Sequence, residues 1–192
     1  RRLVAAPLAR GKVGARKLAD LDGELAIGAD AETAGKVEVL LKGVAEHSPY
    51  LWGLITADTG RLRDLLTRAP EDRFEDCLER MRIACDQADD DDSVLRALRK
   101  GKQEGHLLIA LSDLGGVWHV DQVMAAVSRL ADAASVAATR HALRTAHHAG
   151  RLKLPNPAEP DHQCGLVLLA LGKHGAGELN YSSDIDLVAF FD

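Results

Sequence analysis

Apolar residues recur at three- and four-residue steps over most of the chain, then give way near residue 165 to short continuous runs. From Ala31 onward, Val37, Leu40, Leu41 and Val44 fall on one helical face. His47-Ser48-Pro49 stops that helix and starts another, with Ser48 as cap, Pro49 at the first helical position, and Tyr50, Leu51, Leu54 and Ile55 as the apolar face. Pro70 opens the next helix, striped by Phe74, Cys77, Leu78, Met81 and residues 83–85. The four aspartates at 89–92 lack the alternating ligands and central glycine of a calcium loop, and read as a solvated linker with Ser93 capping the helix that follows. Residues 94–114 and 120–148 predict two long helices, an antiparallel pair separated by Gly115-Gly116.

Residues 150–164 hold Pro155, Pro157 and Pro160 with few apolar positions, which marks a linker. Residues 165–171, GLVLLAL, and 185–191, with β-branched and aromatic content, are each of strand length. Helices first and strands last predict an α+β chain. Its parts are a loosely ordered lead-in at 1–30, a helical region at 31–150, a proline-rich linker at 151–164, and the first two strands of an α/β domain at 165–192.

Composition narrows the function classes. With 46% hydrophobic and 28% charged residues the chain is expected to fold. A net charge of −5, 4% aromatic residues and no dense Lys/Arg stripe argue against a nucleic-acid partner, while leaving a nucleotide as a ligand. Three cysteines without a CxxC pair fit a reducing compartment, and Cys77 and Cys85 read as core residues. No stretch approaches a membrane span and no secretory signal is recognisable, so a cytoplasmic location is expected. The absence of an initiating Met and the end just past Phe191 suggest a piece of a longer chain. His141, His147 and His148 lack an i,i+4 pair with a carboxylate and suit a helix C-terminus better than a metal.

The chemistry concentrates in GKHGAGELNYSSDIDL, residues 172–187. On an extended segment, Asp184 and Asp186 project to the same side, with Cα atoms roughly 6.5–7 Å apart. Two like charges that close in an apolar setting call for a cation, and hard oxygen ligands beside phosphate favour Mg²⁺ or Mn²⁺. Upstream, Gly172, Gly175 and Gly177 allow backbone amides to approach an anion, and Lys173, Ser182 and Ser183 offer side-chain donors. A Walker A loop is excluded because Gly172-Lys173 is followed by His174 rather than Ser or Thr. A dinucleotide fold is disfavoured because the few residues between Gly177 and Asp184 cannot form a crossover helix. A solvent-facing hairpin with ordinary aspartates is the plain structural alternative.

Gly172-Lys173 followed by Asp184-Ile185-Asp186 resembles the signature of polymerase-β-like nucleotidyltransferases, although Lys173 stands where Gly or Ser is usual. The run LGKHGAGELNYSSDIDL is similar to the glutamine synthetase adenylyltransferase/adenylyl-removing family, as are HSPYL at 47–51 and the LRALRK helix from Leu95. Residues 180–187, NYSSDIDL, look like the half of that family that removes AMP. The resemblance implies a nucleotidyltransferase fold and phosphorolysis of an adenylyl-tyrosine on adenylylated glutamine synthetase, releasing ADP. It implies metal coordination by Asp184 and Asp186, and phosphate or nucleotide contacts at Gly172, Lys173, Ser182 and Ser183. Lys173 either neutralises phosphate or supports the turn, and Glu178 anchors the turn rather than acting as a base. Family members use a third carboxylate on a later strand, which nothing after Asp186 supplies, so this segment alone is expected to be weak or inactive. Partners implied are glutamine synthetase, a PII-type signal protein, nucleotide and phosphate. Other readings are a helical docking module without chemistry and another small-group nucleotidyltransferase.

Overall fold

Pro49 and Pro70 each stand at the first position of a helix, where a missing N–H costs nothing. The computed structural model describes residues 31–192, and the expected lead-in at 1–30 lies outside the described residues. Six helices precede two strands among these residues: α1 (Ala31–His47), α2 (Pro49–Ala57), α3 (Thr59–Thr67), α4 (Pro70–Asp86), α5 (Asp91–Leu114) and α6 (Val120–His148). Then come β1 (Leu166–Ala170), the single turn α7 (Gly172–Gly175) and β2 (Leu187–Phe191), which together give the expected α+β class. No helix among the described residues is long and apolar enough to cross a membrane.

The described residues divide into two compact units, the boundary falling between Ala69 and Pro70. In the first, Leu41 and Val44 of α1 are buried, and Ser48 Oγ accepts from the Leu51 amide to cap α2 as expected. The buried face of α2 is Trp52, Leu54 and Ile55, whereas Tyr50 is exposed; a short apolar helix offers no polar face from which to infer its register. Helix α3 was not expected. Its nine residues bury only Leu62 and Leu65, too short a run for periodicity to register.

The second unit is built on α4, α5 and α6, which pack against one another. Phe74, Cys77, Met81 and Cys85 form the inward stripe of α4, while Ile83 is partly exposed. Leu107, Leu108 and Ile109 are sealed at the centre of α5, and burial of each such side chain is worth about 1.5–3 kcal/mol. The helices approach closely where α5 carries no side chain: a Cβ on Gly101 would overlap Met81 of α4, and one on Gly105 would meet Leu130 of α6 at 2.8 Å. Glu104, between these glycines, is shared by Arg73 and Arg80 of α4, a buried charge with two cationic partners. The cap of α5 is Asp90, whose carboxylate accepts from the Ser93 amide at 2.6 Å, and not Ser93 itself. A carboxylate reaching forward three residues satisfies the orphan amide better than a serine already inside the first turn.

Residues 151–164 contain no helix or strand, and Arg140 of α6 tethers them through Asp161. The two strands then pair antiparallel, from Leu166 opposite Phe191 to Ala170 opposite Leu187. Antiparallel pairing removes the dinucleotide-fold reading, which requires parallel neighbours.

Candidate functional site

The ladder runs one rung past β2. The Leu171 amide donates to the Asp186 carbonyl at 2.9 Å, and the next residue, Gly172, turns the first strand away with φ of +56°. The glycine turn therefore leaves the sheet at the level where the Asp-x-Asp segment enters it. Asp184, Ile185 and Asp186 lie just ahead of β2 rather than within it, and only Asp186 is bonded to the facing chain before it turns at Gly172.

The turn is one helical loop closed on itself. The amides of Gly175, Ala176, Gly177 and Glu178 donate to the carbonyls of Leu171, Gly172, His174 and Lys173. The amides of Gly175 and Gly177 are thus consumed within the turn. Those of Gly172, Lys173 and His174, in its first helical residues, have no acceptor there. A Cβ on Gly175 would collide with the carbonyl oxygen of Ala170, and Gly177 has φ of +72°. Both glycines are required by geometry.

Asn180 organises the next segment. The Ser183 amide donates to the Asn180 carbonyl at 3.1 Å, closing a four-residue turn. Asn180 Oδ1 accepts from the Ser182 amide and hydroxyl and from the Ser183 hydroxyl, while Ser183 Oγ accepts from the Asn180 amide. Both serine hydroxyls, expected to face phosphate, are turned toward Asn180. Lys173 is exposed, and so are both aspartates.

Three long-range contacts hold this region on the helices. His174 Nε2 lies 2.8 Å from Asp132 Oδ1 on α6, the Leu179 amide donates to Ser128 Oγ at 3.1 Å, and the Tyr181 hydroxyl donates to Asp113 Oδ2 at 3.1 Å on α5. Ser128 and Asp132 stand one helical turn apart. His174 and Leu179 are buried, unlike their neighbours in the turn. A carboxylate only accepts, so Nε2 carries the hydrogen in this pair. The Nδ1 atom is buried without a partner among the described residues. An unsatisfied buried polar atom costs about 1–3 kcal/mol against roughly 0.5–1.5 kcal/mol for the bond, so stability alone does not account for a histidine here. Burial, the Asp113 charge and the hydrogen bond to it push the Tyr181 phenol well above the usual tyrosine range.

Two hard carboxylates without a side-chain partner among the described residues fit a divalent cation that retains several waters. No group of three or more metal-ligating side chains occurs among the described residues. Two of the α6 histidines are engaged elsewhere: His141 Nε2 lies 2.7 Å from Asp91 Oδ1, and His147 Nδ1 accepts from the Leu154 amide. His174, Leu179, Ser128, Asp132 and Asn180 escape the sequence reading. Only Asn180, two residues before Ser182, leaves a local signal.

The sequence profile of the glutamate-ammonia ligase adenylyltransferase family matches residues 39–192. Among curated relatives, the bifunctional glutamine synthetase adenylyltransferase/adenylyl-removing enzyme of Rhodopseudomonas palustris (strain HaA2) is 45% identical over 91% of this chain and 18% of its own length. The enzymes of the same name from Bradyrhizobium sp. (strain ORS 278) and Bartonella henselae are 46% identical over 91% of the chain and 42% identical over 82%, covering 18% and 16% of those proteins. The chain thus spans less than a fifth of the length of these relatives. No solved structure matches. From a profile match over most of its length, and from relatives that share nearly half its residues, the chain belongs to the glutamate-ammonia ligase adenylyltransferase family.

Proposed function

We propose that residues 172–187 form part of the adenylyl-removing centre of a protein that regulates glutamine synthetase. The observation that carries this reading is the pair of exposed, unpartnered carboxylates, Asp184 and Asp186, joined through the Asp186 carbonyl to the strand that leads into the glycine turn. Asp184 and Asp186 would hold a divalent cation, Mg²⁺ or Mn²⁺, which supplies Lewis-acid neutralisation of phosphoryl charge. Gly172 leaves room at the turn for a phosphate to approach the backbone, and the exposed Lys173 neutralises part of its charge. The serine hydroxyls serve as donors by swinging off Asn180. An oxygen of inorganic phosphate forms a bond to the α-phosphorus of the adenylyl-tyrosine, the bond to the tyrosine oxygen breaks, and that oxygen takes a proton. ADP and free tyrosine result. The glutamine synthetase named in the relatives is the substrate, with a PII-type protein as the regulatory partner.

The test uses the full-length protein with adenylylated glutamine synthetase, phosphate and Mg²⁺ or Mn²⁺. Phosphate-dependent ADP release by wild type, lost in Asp184→Asn/Asp186→Asn, supports the assignment. A folded wild type that releases no ADP overturns it.

A further inference from the structure

The four backbone bonds that close the glycine turn are internal to it and do not fix its place against the helices. Gly172 and Gly177 both have positive φ, and the loop between the strands buries only His174 and Leu179. Glycine-rich backbone has the most conformational freedom to lose, so a turn of this composition needs external fixing to present a constant surface. Both buried residues are fixed by α6, and by positions one helical turn apart. Asp132 Oδ1 accepts from His174 Nε2 at 2.8 Å, and Ser128 Oγ accepts from the Leu179 amide at 3.1 Å. Ser128 is itself oriented: its hydroxyl proton goes to the Met124 carbonyl at 2.9 Å, leaving a lone pair for the Leu179 amide. The two contacts bracket residues 175–178, which close the turn.

We propose that Ser128 and Asp132 are positioning residues for the reaction, acting through Leu179 and His174 to hold the glycine turn at a fixed place beside the Asp-x-Asp segment. This rests on the phosphorolytic reading above. The unpartnered His174 Nδ1 separates this role from mere packing: an apolar side chain would fill the same buried position without an orphaned nitrogen, but would have no bond to Asp132. A histidine here trades stability for direction. Ser128 and Asp132 act through their contacts to Leu179 and His174, so their loss alters where the phosphate is held and leaves recognition of the glutamine synthetase surface unaffected.

The experiment measures KM for phosphate, KM for adenylylated glutamine synthetase and kcat in the full-length protein carrying Asp132→Ala, Asp132→Asn, Ser128→Ala or His174→Leu. Hydrogen exchange of the peptide spanning 172–179 is followed in parallel. The proposal expects KM for phosphate to rise about tenfold in Asp132→Ala, Ser128→Ala and His174→Leu, with KM for the protein substrate unchanged. Asp132→Asn, whose amide oxygen still accepts from Nε2, recovers to within about threefold of wild type. Exchange in 172–179 quickens in the same variants and not in peptides of α4. A reduced folded fraction lowers apparent kcat and leaves KM alone, so misfolding does not imitate the expected result. An unchanged phosphate KM in folded Asp132→Ala overturns the proposal; if that variant does not fold, an unchanged KM in Ser128→Ala does so. Wild type without phosphate-dependent release rejects the phosphorolytic reading, and the catalytic role proposed here with it, while the exchange rates still report whether the clamp exists.

Discussion

The Tyr181 hydroxyl donates to Asp113 Oδ2 at 3.1 Å, tying the segment just before the Asp-x-Asp pair to the C-terminal turn of α5. Burial and the neighbouring carboxylate raise the phenol pKa, so the folded protein disfavours the phenolate. A group whose folded pKa is raised contributes stability that is complete below its unfolded pKa, about 10 for tyrosine, and declines as pH rises past it. Unfolding followed over roughly pH 9 to 11, the window around that value, should show a loss of stability that is smaller in Tyr181→Phe. Equal pH slopes in wild type and Tyr181→Phe would refute the coupling.

Asp86 at the end of α4 accepts from Arg144 at 2.8 Å and from Arg140 at 3.4 Å, both on α6, and from Arg82 on its own helix. Burial pushes the carboxyl up, but Arg144 and Arg140 outweigh it and hold the pKa below the usual aspartate value. The associated stability is present above the unfolded pKa, near 3.9, and is lost as pH falls through the depressed folded value. Asp86→Ala should destabilise the fold by about 1–3 kcal/mol, because two partly buried guanidinium groups lose the carboxylate they share, though Arg140 keeps Asp161 and Arg144 the Cys85 carbonyl. Denaturant melts at pH 7 and pH 3 check this: the gap between wild type and variant should narrow at the lower pH.

Gly175 abuts the Ala170 carbonyl so closely that any Cβ must displace backbone. Gly175→Ala should cost about 1–3 kcal/mol locally, abolish most ADP release and leave the helical far-UV signal of α4, α5 and α6 intact. Activity retained at wild-type level would show that the turn need not keep this shape.

Much of the helical region was legible because Leu41, Val44, Phe74, Cys77 and Met81 repeat at helical spacing, and because Ser48-Pro49 and Pro70 punctuate them. The turn at residues 172–177 was legible for a related reason, since its glycines stand where the backbone turns, whereas the chemistry read from Asp184 and Asp186 belongs to the proposed function. What fixes the turn was not. His174 and Asp132 are 42 residues apart, Leu179 and Ser128 are 51 apart, and Tyr181 and Asp113 are 68 apart. Periodicity reports which face of a helix is buried, but not which polar residue on that face meets a distant loop. The inward-turned hydroxyls of Ser182 and Ser183 escaped for a subtler reason: a donor in the sequence is available to a ligand only if no nearby acceptor claims it, and Asn180 does.

Phosphorolysis at a centre that includes Asp184 and Asp186 would carry the attacking phosphate into the nucleotide product, so the fate of that phosphate is decisive. Isotopically labelled inorganic phosphate is supplied to the full-length protein with adenylylated glutamine synthetase, and the nucleotide product is analysed. Phosphorolysis puts label in the β-phosphate of ADP, and none in any nucleotide with Asp184→Asn/Asp186→Asn. Release of unlabelled AMP, or label incorporation that survives the loss of both carboxylates, would contradict it.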